Sequence, residues 1–128
     1  MPVDRNKHPR RVWFSLIAAS VAALVHFSSS AAELPPPASQ KVDFLKDIQP
    51  ILTNSCYECH AAEKQKGGLR LDLKALALKG GDTGPLLVPG KSADSLIIQV
   101  VTGTKEDIAR MPKKKDPLTD TQIGSLRA

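Results

Sequence analysis

The chain has 128 residues, a formal net charge of +5 and 41% hydrophobic residues, a length that points to a single domain. Much of the positive charge is local: Arg5, Lys7, Arg10 and Arg11 all fall in the first 11 positions. Residues 33–128 carry 14 basic against 12 acidic side chains, a net +2, which removes the case for nucleic-acid binding.

After the basic start, Val12–Phe27 is an apolar run of 16 residues broken only by Ser15, Ser20 and His26, and small residues follow up to Ala32. A charged start, an apolar run and small residues make a secretory signal peptide, expected over residues 1–32 with cleavage after Ala32. The run falls short of the ~20 residues that a spanning helix needs. The protein is therefore expected to be periplasmic or otherwise exported, with membrane contact only if the leader stays uncleaved.

Residues 33–40, ELPPPASQ, read as an extended Pro-rich linker, and the domain proper as residues 41–128. Phe44, Leu45, Ile48, Ile51 and Leu52 recur at helical spacing, with Asp43 as N-cap and Pro50 predicting a kink near Gln49.

Directly after this helix come the two cysteines of the chain, Cys56 and Cys59, with His60 adjacent. Cys-x-x-Cys-His is the spacing of a c-type haem attachment site. Each thiol adds to one vinyl group of the haem, and the neighbouring imidazole reaches the iron. A disulfide remains an alternative in an oxidising compartment. A zinc site would need a carboxylate as fourth ligand. Residues 33–128 contain only two aromatic residues, Phe44 and Tyr57, so a haem would also give a small domain the apolar body its core lacks.

Further along, Asp72 is expected to cap a short helix through LKALALK that closes at Gly80-Gly81. Gly80–Gly90 reads as an irregular loop. Its Gly84–Ser92 portion resembles a phosphate-binding loop, but five residues separate the glycines instead of four, and no strand precedes it, so no nucleotide is expected. Ser92 is expected to cap a helix with Leu96, Ile97, Val100 and Val101 on its apolar face and Gly103 at its end.

Beyond it lie Met111 and the run Lys113, Lys114, Lys115. His8 and His26 fall in the leader, so a second iron ligand from residues 33–128 cannot be another His. Met111, 51 residues after His60, is the candidate, since Met/His ligation suits electron transfer. The competing reading of Met111 is a gap-filling side chain. The lysines are either a docking patch for an acidic redox partner or a solvated loop. Thr119 and Gln122 have capping-box spacing, and Leu118 with Ile123 that of a hydrophobic staple. No internal repeat or long alternating run appears, so the class is all-α with long loops.

The pieces VDFLKDIQPIL, CYECH, KGGLRLD, ALKGGD, GPLLVPGKS, SLIIQVV, RMP and PLTDTQIGSLR together resemble the planctomycete-type cytochrome c domain. That resemblance implies an all-α cytochrome c-like fold, with helices and long loops wrapped around one haem c. In it Cys56 and Cys59 bind the haem covalently, and His60 and Met111 ligate the iron. Relatives extend the terminal helix past the position of Ala128 and carry large downstream domains. Here the terminal helix is accordingly expected to be cut short. The expected function is one-electron transfer, not enzymatic turnover, because both axial positions are filled. The alternatives are a haem enzyme or gas sensor with a labile sixth ligand, and a truncated haem module of a larger exported protein.

Overall fold

The computed structural model describes residues 33–128. The expected leader and its cleavage point lie outside the described residues. Four short α-helices carry the domain: α1 (Gln49–Ser55), α2 (Lys74–Lys79), α3 (Leu96–Thr102) and α4 (Asp120–Arg127). No strand occurs among the described residues, where only isolated bridges pair His60 with Gln65 and Gly81 with Gly84. The all-helical expectation holds.

Pro50 shapes the first helical segment. Having no N–H, it cannot continue an α-helical ladder from the preceding turn. Phe44–Ile48 forms a wide π-helical turn, in which the Gln49 N–H reaches the Phe44 carbonyl, and α1 begins afresh with Pro50 in its first turn. Asp43 caps the π turn as expected, accepting from the Lys46 N–H at 3.0 Å. The expected continuous apolar face is broken by this change of pitch. Ile51 and Leu52 are buried, whereas Phe44 and Leu45 are 55% and 68% exposed.

Two caps differ from expectation. Asp72 does not cap α2, because its carboxylate is held by the Arg70 guanidinium at 2.7 and 3.0 Å. Ser92 opens a 3₁₀ turn, and Ser95 occupies the N-cap position of α3. The buried Ser95 hydroxyl is used otherwise: it accepts from the Val88 N–H at 2.9 Å and lies 3.2 Å from the Lys91 carbonyl, to which it donates. That pair fastens the Pro-Gly loop onto α3. The start of α4 is as expected, with both capping-box bonds between Thr119 and Gln122 in place. The staple residues Leu118 and Ile123 are buried.

The core gathers Ile51 and Leu52 from α1, Ile97, Ile98 and Val101 from α3, Ile123 from α4, and Leu71, Leu86 and Leu118 from the connections. The Pro-rich stretch does not hang free of it. Leu34 packs against this core, the Ala38 N–H donates to the Gly124 carbonyl at 2.9 Å, and Arg127 donates to the Pro35 carbonyl. Gly124 lets the two segments approach: a Cβ there would lie 2.8 Å from the Pro36 carbonyl oxygen. Gly124→Ala is therefore expected to destabilise the domain by about 1–3 kcal/mol, although alanine is the better helix former. A thermal midpoint equal to or above that of the wild type would show that this contact yields freely.

Candidate haem site

α1 delivers the cysteine motif. At its end the Leu52 carbonyl accepts two N–H groups, from Cys56 at 2.8 Å and Tyr57 at 2.9 Å, and the His60 N–H then closes on the Cys56 carbonyl at 3.0 Å. The chain turns tightly, so that both thiols and the imidazole share one short arc. The following loop is stitched back onto this arc: the Lys66 N–H donates to the Cys59 carbonyl at 3.0 Å, and the Leu71 N–H to the His60 carbonyl at 2.8 Å.

This arc forms one wall of a cavity of about 380 Å³, a size that suits a cofactor. The opposing surfaces come from Leu96, Ile97, Val100 and Val101 of α3, from Leu69, Leu71 and Leu86, and from the segment Ile108–Lys115, which includes Met111. Cys56, Cys59, His60 and Met111, separated by up to 55 positions in sequence, thus line the same space. Met111 is held toward α3 by its own N–H, which donates to the Val100 carbonyl at 2.9 Å. The Arg110 side chain donates to the next carbonyl, that of Val101, at 3.0 Å.

The electrostatics follow from burial. Desolvation pushes the Cys56 thiol up to about 11, opposed by the nearby Lys115 ammonium, and both cysteines are free thiols. Burial also lowers the His60 pKa, against backbone hydrogen-bonding groups of Lys66 and Leu69 that favour its proton. The imidazole is thus held neutral near pH 7, the form that ligates a metal. Its Nδ1 is buried and makes no well-formed hydrogen bond, the Lys66 and Leu69 backbone groups being its nearest polar neighbours. No group of three or more His, Cys, Asp or Glu side chains gathers as a metal cage among the described residues. The residues present fit a haem: two thiols, one neutral imidazole, one thioether and apolar walls.

Of the three lysines expected to form a docking run, Lys115 has a different use. Its Nζ lies 3.2 Å from the Glu58 carboxylate and donates to the Asn54 carbonyl at 2.5 Å. The Lys115 ammonium beside it holds the Glu58 carboxyl below its ordinary pKa. Sequence spacing gave no signal for this pairing, because 61 positions separate Lys115 from Asn54.

An all-helical domain with a Cys-x-x-Cys-His turn facing a large apolar cavity belongs to the class of c-type cytochrome domains. Residues 56–115 match the family model described as Planctomycete cytochrome C. A comparison with curated proteins found no match, and neither did one with solved structures.

Proposed function

We propose that this chain is an exported electron carrier that holds one haem c between the cysteine arc and the Met111 segment. The observation that carries the reading is the convergence of Cys56, Cys59, His60 and Met111 on one cavity. The haem, when bound, supplies a one-electron couple at its iron. The protein's residues do the rest. The Cys56 and Cys59 thiols would hold the haem covalently, each S–H adding across a vinyl group with no net oxidation, and the His60 nitrogen and the Met111 sulfur would hold the iron. The leucine, isoleucine and valine walls would limit water around it and so favour the less charged, reduced state. With both residues on the iron, it would have no place for a substrate. Lys113 and Lys114, exposed near the mouth of the cavity, supply positive charge for an acidic redox partner.

Covalent attachment is the direct test. Protein made with its leader in a host that attaches c-type haem is expected to keep haem on a denaturing gel, seen by peroxidase staining. Cys56→Ser is expected to leave one thioether at most and to shift the pyridine haemochrome band. Abundant protein without a stained band would rule the reading out.

A further inference from the structure

The segment Met111–Lys115 bridges two walls of the cavity. At its start, the Met111 N–H and the Arg110 side chain are bonded to the carbonyls of Val100 and Val101 on α3. At its end, Lys115 crosses to the cysteine arc, where it meets the Asn54 carbonyl and the Glu58 carboxylate. Asn54 belongs to the last turn of α1, whose carbonyls lack helical partners and carry the negative end of the helix dipole. An ammonium placed there satisfies an orphan acceptor as well as a carboxylate. All three lysines of the run are exposed, but Lys113 and Lys114, unlike Lys115, make no hydrogen bond or ion pair among the described residues.

We propose that Lys115 is a positioning residue for Met111: its bonds to Asn54 and Glu58 clasp the methionine segment shut over the cavity, and the iron–sulfur bond opens when the clasp does. The inference rests on the reading of Met111 as sixth ligand, and goes beyond it by naming what governs the lability of that bond. Only four positions separate Met111 from Lys115, so releasing the ammonium frees the far end of the one segment that carries the thioether. The segment is then held at its α3 end alone, and the Met111 side chain is no longer braced from both walls of the cavity. The clasp also divides the lysine run into two roles, one lysine paired at the surface with Asn54 and Glu58 and two left for solvent or a partner.

The test is imidazole entry into the ferric, haem-loaded protein, followed by stopped-flow absorbance. Wild type, Lys115→Ala, Lys115→Arg, the double variant Lys113→Ala/Lys114→Ala, and Met111→Ala are compared. An exposed ion pair and a helix-end contact are each weak, so Lys115→Ala is expected to speed entry on the order of fivefold. It should also weaken the far-red sulfur-to-iron absorption, while the haem stays covalent. Lys115→Arg, which offers donors to the same carbonyl and carboxylate, restores slow entry. The Lys113→Ala/Lys114→Ala protein enters at the wild-type rate. Equal rates in wild type and Lys115→Ala overturn the clasp, as does an equal rise in the Lys113→Ala/Lys114→Ala control. A wild type as fast as Met111→Ala overturns methionine ligation itself, and the clasp with it. A slow wild type beside a fast Met111→Ala keeps ligation and leaves Lys115 to be judged on its own rate.

Discussion

Replacing Met111 with alanine is expected to lower the reduction potential and open the iron to small ligands, while leaving the haem attached. Cys56, Cys59 and His60 are untouched by the change, so covalent binding persists. A thioether favours the reduced iron relative to water or nitrogen ligands. The expected fall is on the order of 0.1–0.2 V, a fraction of the roughly 0.8 V that axial ligands span. Ligand affinity follows from the population of the open form. If about 1% of the wild type has the sulfur dissociated, removing it raises apparent affinity about a hundredfold. Carbon monoxide titration and a potential measured against mediator dyes read both quantities. A wild type that already binds carbon monoxide readily, with neither quantity moved in Met111→Ala, would instead favour a sensor or enzyme with a vacant sixth position.

The largest effect on stability is expected at Ile98. Among the described residues it is the one large side chain that is fully buried, at 1% exposure, and it sits on α3. Truncation of such an isoleucine to alanine costs about 2–5 kcal/mol, set against the 5–15 kcal/mol typical of a whole domain. A domain of this size loses roughly 4–8 °C of thermal midpoint per kcal/mol. Ile98→Ala is therefore expected to melt well below the wild type, and Ile98→Val, which removes one methylene, much closer to it. Thermal melts of the two variants by circular dichroism decide the matter. An Ile98→Ala midpoint within a degree or two of the wild type would mean that the core collapses around the gap.

What the residues revealed beforehand depended on the range of the interaction. The cysteine motif is a local spacing, and it stands where α1 ends as expected. The Thr119–Gln122 capping box is likewise local and is present bond for bond. Met111 was reached by elimination, since residues 33–128 offer no second histidine. Its place beside the cysteine arc needed the fold. Two failures have clear physical causes. Asp72 was read as a helix cap because acids before a helix cap it, but an arginine two positions earlier competes for the same carboxylate and takes it. Phe44 and Leu45 share the helical spacing of Ile48, Ile51 and Leu52, but the break expected near Gln49 takes the form of a π turn, and both side chains stand exposed. The tie between Lys115 and Asn54, and that between Arg127 and Pro35, could not be read from any window of sequence.

The last of those ties shapes how the domain is put together. Pro35 and Arg127 stand 92 positions apart, and Ala38 with Gly124 closes the same junction. The described chain is thus a ring fastened at one seam. Loop-closure entropy rises only with the logarithm of length, so a seam this wide costs little more than a shorter one. Contacts of such separation nevertheless form late. Synthesis makes the Pro35 side of the seam 92 positions ahead of the Arg127 side. Until the second side arrives, the Pro35 stretch has no partner on α4, and the cysteine arc lies in an unfastened chain. On the proposed reading, that interval is when the two thiols would be most accessible to a bulky planar group.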